Sequence, residues 1–272
     1  MKKAIDKERF GPWAIVTGAS SGIGKEFARQ LARNGLNVVL AARRLPLLEE
    51  LGHELEKEFG TKYVAIEVDL GVDGFIEKID NATRHLDVGL LISNAGTGVV
   101  GEFLSFPEAD LKRIVQLHVT SYLTLTHYFG ARLAARGKGG VLLTGAMGAA
   151  NGVPYFANEA ATKAYVVSLG KGLHSEFEKI GLNITVLLPG FTDTPSFNNL
   201  GLVKIPMRPT SVKQCVEESL LALKSNRMTI IPGRLNRIID ALVPGSLGRK
   251  MMENIIKNNK IELALPAPQS PS

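Results

Sequence analysis

The chain has 272 residues, of which 45% are hydrophobic and 21% charged, so it can bury a sizeable core in one large or two small domains. Its formal net charge of +6 comes from basic residues interleaved with acidic ones, which argues against a nucleic-acid surface and favours a small phosphate-bearing ligand. The single cysteine, Cys215, excludes an intrachain disulfide and a multi-cysteine metal site, and no metal ion is expected.

The first residues are expected to carry no targeting signal. Residues 1–12 are charged and lack the apolar stretch of a secretory signal. Nowhere does the sequence approach the roughly 18 consecutive apolar residues that span a bilayer. We therefore expect a cytoplasmic protein with neither a membrane nor a nucleic-acid partner.

Apolar runs and helical segments alternate along the first two thirds of the chain. The apolar runs predict strands at residues 13–17, 37–42, 63–68, 88–93, 140–144 and 183–188. The segments between them have helical spacing and predict helices at residues 25–34, 46–59, 75–86, 110–135 and 160–180. Successive strand–helix–strand units cross over right-handedly and form a parallel sheet covered on both faces. We predict a single α/β domain over residues 1–265, with a doubly wound parallel sheet of the Rossmann type.

Beyond residue 195 the pattern is less regular. It predicts a helix at 212–225, a strand at 228–231 and an amphipathic stretch at 235–257. Ligands of open α/β sheets bind beyond the carboxyl ends of the strands, so residues 195–260 are expected to cover the substrate end of the site as a variable extension. The basic amphipathic stretch is interpreted as a lid or dimer-packing helix in preference to a membrane-surface helix.

Two further features of this part are compositional. The proline-rich tail, residues 266–272, is expected to be disordered. Apolar residues after the last long strand suggest an apolar pocket mouth, although such residues on a loop are as often packing: Phe191, Phe197, Leu200, Leu202 and Ile205.

Glycines open the first predicted helix. Gly18, Gly22 and Gly24 follow the first strand directly, and each has a separate task. Gly18 makes the tight turn, Gly22 lets the backbone approach a pyrophosphate, and Gly24 allows close packing of helix and strand. The free N–H groups at the helix start favour an anion. The turn therefore predicts a dinucleotide site.

The spacing of this turn, Thr17 to Gly24, resembles the TGxxxGxG motif of the short-chain dehydrogenase/reductase family. Asp69-Leu70 resembles the adenine-contacting Asp of that family, Ser93-Asn94-Ala95-Gly96 resembles its NNAG strand end, and Pro189-Gly190 with Thr194 resembles its PGxxxT loop. The resemblance spans residues 11–195 in the family's order. It implies a cofactor site made of Gly18, Ser20, Ser21, Gly22, Ile23, Gly24, Arg43, Asp69, Leu70, Asn94, Ala95, Gly96, Lys163, Pro189, Gly190, Thr192 and Thr194.

The residues at the end of the second predicted strand indicate which nucleotide binds. NAD-dependent enzymes place a carboxylate there for the ribose hydroxyls, but this sequence reads Ala41-Ala42-Arg43-Arg44. Arg43 could clamp a 2′-phosphate by a charge-assisted bidentate bond. NADP(H) is therefore favoured over NAD(H).

The catalytic pattern of the family is only partly present. Family members transfer a hydride with a YxxxK helix, a Ser that polarises the substrate oxygen and an Asn that supports a proton-relay water. Lys163 lies at the Lys position, but Glu159 replaces the Tyr, Ala146 the Ser and His118 the Asn. Tyr155 precedes Lys163 by eight residues and could help only if the helix starts after it.

These replacements leave several interpretations open. A carboxyl one turn from a Lys ammonium is expected to ionise readily, so Glu159 should be a base and not an acid. Its most favoured interpretation is an i,i+4 salt bridge to Lys163, and the alternative is a general base. His118 is expected to be a packed or surface residue more often than a proton relay.

Three hypotheses about activity follow. The protein is an NADP(H)-dependent oxidoreductase with a rebuilt proton relay, a catalytically silent cofactor-binding protein, or a non-redox enzyme that uses Glu159 as its base. The resemblance also implies a homodimer or homotetramer through the long helices near 110–135 and 155–179. An apolar small-molecule alcohol or carbonyl is the expected substrate class.

Overall fold

The computed structural model describes residues 5–195 and 208–259. Its seven strands form one parallel sheet in the order β3-β2-β1-β4-β5-β6-β7. The strands are β1 (Trp13–Thr17), β2 (Asn37–Ala42), β3 (Tyr63–Glu67), β4 (Val88–Ser93), β5 (Gly139–Thr144), β6 (Leu182–Leu187) and β7 (Thr229–Ile230). The strand order reverses between β1 and β4, and this reversal opens a crevice at the carboxyl edge of the sheet.

Helices cover both faces of the sheet. In chain order, the helices of the described residues are α1 (Lys7–Phe10), α2 (Gly22–Arg33), α3 (Leu45–Phe59), α4 (Phe75–Thr83), α5 (Glu108–Val115), α6 (Ser121–Arg136), α7 (Ala157–Lys179), α8 (Val212–Lys224), α9 (Arg234–Leu242) and α10 (Gly245–Asn258). A π-helical turn, Gln116–Thr120, joins α5 to α6.

Side chains that point alternately to the two faces of the sheet divide the hydrophobic core into two layers. Ala14 and Val16 of β1 join the layer under α2, α3 and α8, whereas Ile15 joins the layer under α4, α6 and α7. Successive strand residues point to opposite faces, and both sets are fully buried. The predicted single α/β domain with a doubly wound parallel sheet is therefore confirmed.

Several predicted boundaries are wrong. Helix α2 begins at Gly22 and not at residue 25, because the glycine turn itself supplies its first residues. Helix α7 begins at Ala157, so Tyr155 lies outside it. The amphipathic stretch at 235–257 is two helices, because Val243 is extended and Pro244 caps the start of α10.

The tail at 266–272 and the residues Phe197, Leu200, Leu202 and Ile205 lie outside the described residues. The expected homodimer or homotetramer stays a prediction.

Candidate active site

A cleft of about 790 Å³ opens at the carboxyl ends of the neighbouring strands β1 and β4, where the strand order reverses. All residues of the predicted cofactor site except Gly24 line it. Glu159, Lys163 and Ala146 line it too, whereas His118 does not. The motifs read from distant parts of the chain therefore meet in one crevice.

The glycine turn forms one wall of the cleft. Gly18 and Gly22 have φ angles of +68° and +55°, a region that residues with a Cβ rarely adopt. A Cβ on Gly24 would lie 2.2 Å from the carbonyl oxygen of Gly18, so only glycine fits beneath the turn. The first N–H groups of α2 lack intrahelical partners, and Ser21 makes no side-chain cap bond to them. This helix start can receive a phosphate group.

The arginine that contacts the turn is not the one that the sequence singled out. Nη2 of Arg44 lies 2.9 Å from Oγ of Ser20 and 3.3 Å from Oγ of Ser21. Arg43 is exposed and lines the same cleft. Both guanidinium groups can therefore serve a phosphate beside the turn.

Asp69 is held by other groups of the chain. Its carboxylate accepts a hydrogen bond of 2.8 Å from the N–H of Gly71 and forms an ion pair with Arg113 of α5. Arg113 also lines the cleft. No local sequence pattern indicates Arg113, because it lies more than forty residues further along the chain than Asp69.

The cleft floor is tied together by Thr17 and Asn94. Oγ1 of Thr17 accepts hydrogen bonds from the N–H groups of Asn94 and Ala95, at 2.9 and 3.0 Å. Thr144 at the end of β5 donates to the side-chain oxygen of Asn94 at 3.3 Å. The ends of three adjacent strands are thereby fixed relative to one another.

Lys163 is buried at this floor, with 6% of its surface exposed. Its ammonium donates to the carbonyl oxygen of Thr144 at 2.9 Å and lies 5.2 Å from the ring centre of Tyr122. Burial lowers the pKa of Lys163 to about 8, and the charge of Glu159 opposes this change. The charge of Glu159 thus favours the protonated ammonium, which burial alone would disfavour.

Glu159 has properties opposite to those expected from the sequence. Burial raises the pKa of its carboxyl to about 7, against the opposing effects of Lys163 and of a hydrogen bond from the N–H of Val99. The expectation of a lowered pKa was wrong, because desolvation outweighs the nearby ammonium.

The favoured salt bridge is also wrong. The i,i+4 ion pairs among the described residues are Glu108–Lys112 and Glu253–Lys257, and Glu159–Lys163 is not one of them. The Oε2 atom of Glu159 is buried and has no hydrogen-bond partner within the described chain. Glu159, whose carboxyl pKa is raised to about 7, therefore lines the cleft, and one of its carboxyl oxygens is buried without a partner.

His118 is a packed residue. It is fully buried in the π-turn, and burial together with Lys163 holds its pKa well below the usual value. Its Nε2 accepts from the N–H of Thr97 at 3.1 Å, so its proton is on Nδ1, which lies 3.0 Å from Oγ1 of Thr162. That hydroxyl donates in turn to the carbonyl oxygen of Glu159 at 2.7 Å. A neutral imidazole thus links the cleft loop to the start of α7.

Tyr155 does not replace the missing tyrosine in the cleft. Its φ is +63°, and it packs in an apolar cluster beside the cleft, the mouth cluster: Val100, Tyr155, Phe156, Phe191, Met252, Ile255 and Ile256. Val99 and Gly190, neighbours of two of its members, line the cleft. Helix α10 thus packs with apolar side chains against residues that adjoin the cleft loops, and Phe191 belongs to the same cluster.

Comparison with known proteins places this fold and site. The family model of short chain dehydrogenases matches residues 12–202. A 7beta-hydroxysteroid dehydrogenase of Mediterraneibacter gnavus is 28% identical over 239 residues, covering 85% of this chain and 89% of that protein. A very-long-chain 3-oxoacyl-CoA reductase of Rattus norvegicus is 30% identical over 244 residues, covering 85% and 76%.

Solved structures agree with this assignment. A short-chain dehydrogenase from Sphingobium yanoikuyae in complex with NADPH superimposes with a TM-score of 0.78 at 26% identity, covering 96% of this chain and all of that one. Fold and cleft define an oxidoreductase that binds a nicotinamide nucleotide. The chain belongs to the short-chain dehydrogenase/reductase family.

None of the helices in residues 5–195 and 208–259 is long and apolar enough to cross a membrane.

Proposed function

We propose that this protein is an NADP(H)-dependent oxidoreductase that interconverts an apolar alcohol and its carbonyl, with Glu159 as the proton donor and acceptor. The observation that carries the proposal is the Glu159 carboxyl in the cleft, which has one buried oxygen without a partner. Leaving such a group unpaired is costly, so we infer that the carboxyl turns towards the cleft when substrate binds and that the substrate hydroxyl or carbonyl oxygen then satisfies it.

The proposal that NADP(H) is the cofactor rests on the arginine side chains and the free backbone N–H groups near the first turn of α2. The first turn of α2 offers free N–H groups to a pyrophosphate, and Arg43 and Arg44 lie beside that turn. No carboxylate follows β2 to bind ribose hydroxyls, whereas a guanidinium suits a 2′-phosphate. The bound nucleotide supplies or accepts the hydride.

The proton chemistry follows from Glu159 and Lys163. Because the pKa of Glu159 is raised to about 7, the neutral and ionised carboxyl are both populated near neutrality. The neutral form can donate a proton to a carbonyl oxygen, and the ionised form can take one from an alcohol. Lys163 holds positive charge nearby and so stabilises the carboxylate that remains after donation.

The rates of reduction and of oxidation should depend on pH with opposite signs. Reduction needs the protonated carboxyl, so its rate should fall as pH rises through about 7. Oxidation needs the carboxylate, so its rate should fall as pH drops through the same value. Ala146 supplies no hydroxyl to a developing oxyanion, which should limit turnover.

The substrate class rests on the mouth cluster. Its aromatic and aliphatic side chains adjoin the cleft loops, and such a surface favours an apolar substrate. Two relatives are named for a steroid and for a very-long-chain acyl thioester, which supports a search among large apolar carbonyl compounds.

Absorbance at 340 nm with NADPH and a panel of steroid ketones and 3-oxoacyl thioesters tests the proposal. Glu159→Gln should lower kcat about 100- to 10,000-fold without preventing NADPH binding. Glu176→Gln is the matched control, because Glu176 is an exposed carboxylate on the same helix. NADPH binding without turnover of any substrate would instead support the catalytically silent protein.

Two further outcomes separate the alternatives. If Glu159→Gln turns over as fast as wild type, Glu159 is not the acid or base. If the double change Glu159→Tyr and Ala146→Ser creates activity that wild type lacks, the natural chain is a silent nucleotide-binding protein.

A further inference from the structure

Helix α9 has its polar side towards the protein and its apolar side towards solvent. Its one buried residue is Asn236, which is 4% exposed. Leu235, Ile238 and Leu242 are 50%, 53% and 75% exposed. An amphipathic helix on a globular protein normally buries its apolar stripe, so this arrangement is reversed.

Polar contacts hold α9 in this orientation. Nδ2 of Asn236 donates to the carbonyl oxygen of Pro232 at 2.8 Å and to Oγ1 of Thr210 at 3.1 Å. Arg237 forms an ion pair with Glu218 of α8 at 2.6 Å. A Cβ on Gly190 would lie 2.9 Å from the side chain of Asn236, so the helix also rests on a loop of the cleft.

The apolar exposure continues in the first half of α10. Leu247 and Met251, one turn apart, are 49% and 36% exposed, whereas Ile255 and Ile256 further along are buried in the mouth cluster. The two parts of α10 therefore differ: its end is packed in the mouth cluster, and its beginning presents apolar side chains outward.

Basic residues border the exposed apolar residues. Arg234 precedes Ile238 by four positions and Lys250 follows Leu247 by three, spacings that bring side chains together on a helix. Arg234 and Lys250 are exposed. Asp240 lies on the part of the α9 circumference away from the apolar side chains, since it is two residues from both Ile238 and Leu242.

We propose that α9 and the start of α10 dock on an anionic lipid bilayer surface, with the apolar side chains of α9 inserted at the headgroup level. A short helix with an apolar side and bordering cations binds in the plane of such an interface. A second copy of the chain fits less well, because a two-fold contact through the same patch would bring equal charges of Arg234 and Lys250 together.

The sequence alone favoured a lid or a dimer-packing helix for this stretch. The second half of α10 packs in the mouth cluster, and no residue of α9 lines the cleft. Because Asn236 of α9 lies against Gly190, and Gly190 lines the cleft, the proposed lipid-facing helix adjoins the cleft. Docking would thus place the mouth cluster close to the lipid.

Flotation of the full chain with vesicles of phosphatidylcholine, with and without phosphatidylglycerol, tests the proposal. We expect binding to the anionic vesicles that weakens in high salt. The triple change Leu235→Gln, Ile238→Gln and Leu242→Gln should lower the vesicle partition coefficient about tenfold or more. Each basic residue near an anionic surface strengthens binding about fivefold, so the double change Arg234→Gln and Lys250→Gln should lower it about 25-fold.

Leu221→Gln is the matched control, because Leu221 is a 44% exposed leucine on α8, outside the patch. NADPH titration and thermal unfolding verify that each variant is folded. The proposal is overturned if wild type does not float with anionic vesicles, or if the α9 variants float as well as wild type. Light scattering that shows a smaller particle for the triple variant, without vesicle binding by wild type, would assign the patch to a second copy.

Discussion

Replacing Glu159 with Gln should change how the stability of the protein depends on pH. Burial raises the pKa of the Glu159 carboxyl from 4.5 to about 7, so between these values the folded chain keeps a proton that the unfolded chain has released. The unfolded state then binds fewer protons, and the free energy of unfolding falls as pH rises through this window. Glu159→Gln keeps the shape of a neutral carboxyl but has no proton to lose.

The size of the effect follows from the same values. At about 1.4 kcal/mol per pH unit, the raised pKa corresponds to about 3 kcal/mol lost by the wild type between pH 4.5 and 7. Lys163 adds to the difference between the two proteins, because the charge of Glu159 raises the pKa of Lys163 in the wild type. Without that charge, the buried ammonium of the variant loses its proton at lower pH, and the loss of a buried charge stabilises the folded variant as pH rises. We therefore expect Glu159→Gln to gain about 3 kcal/mol or more over wild type between pH 5 and 8.

Urea unfolding followed by circular dichroism at several pH values from 5 to 8 measures this difference. Glu176→Gln is the control, because an exposed carboxylate on the same helix should leave the pH dependence unchanged. Parallel curves of unfolding free energy against pH for wild type and Glu159→Gln would refute a carboxyl that is protonated near neutrality, and with it the proposed proton donor.

The remaining predictions concern the cleft. In nitrogen-15 NMR spectra, His118 should stay neutral with its proton on Nδ1 through the range in which a free imidazole takes up a proton, since its pKa is held well below the usual value, and a protonation near neutrality would contradict the hydrogen-bonded link. Arg43→Ala and Arg44→Ala should each weaken NADPH binding about tenfold or more and NADH binding little, as measured by fluorescence titration; equal losses for both nucleotides would rule out a 2′-phosphate contact. Gly24→Ala should abolish NADPH binding or folding, because its Cβ would lie 2.2 Å from the carbonyl oxygen of Gly18. Gly172→Ala is the control, because a Cβ at this position of α7 would meet open space. Urea unfolding of that variant should show a free energy that is unchanged or higher by up to about 1 kcal/mol.

The sheet and the cofactor turn were predictable because their signals are local. Strand β1 has the predicted bounds, and so do β2 and β4. Each strand is a short apolar run with a glycine or polar residue at its end, and the glycine turn follows a strand directly. Such patterns depend on the preferences of adjacent residues, so neither the fold class nor the family needed tertiary contacts.

The contacts of Arg44 and Arg113 were not predictable in the same way. Arg44 reaches Ser20 and Ser21 across the end of β1, and Arg113 reaches Asp69 from a helix far along the chain. Both depend on how elements pack side by side, and the sequence carries no spacing that links them. The sequence analysis therefore identified Arg43 but not Arg44, the arginine that contacts the glycine turn.

For Glu159 and α9 the sequence identified the residues but not their environment. It placed Glu159 one turn from Lys163 and predicted a charged pair, and it described residues 235–257 as amphipathic. Tertiary packing buries the carboxyl and brings the N–H of Val99 to it. The buried Asn236, with its hydrogen bonds to Pro232 and Thr210, holds α9 with Leu235 and Leu242 outward. The desolvation of the Glu159 carboxyl and the orientation of α9 are set by neighbours from many parts of the chain. The amino-acid sequence by itself therefore determined which chemical groups are present. Tertiary structure decided the charge state of those groups and the surfaces that they face.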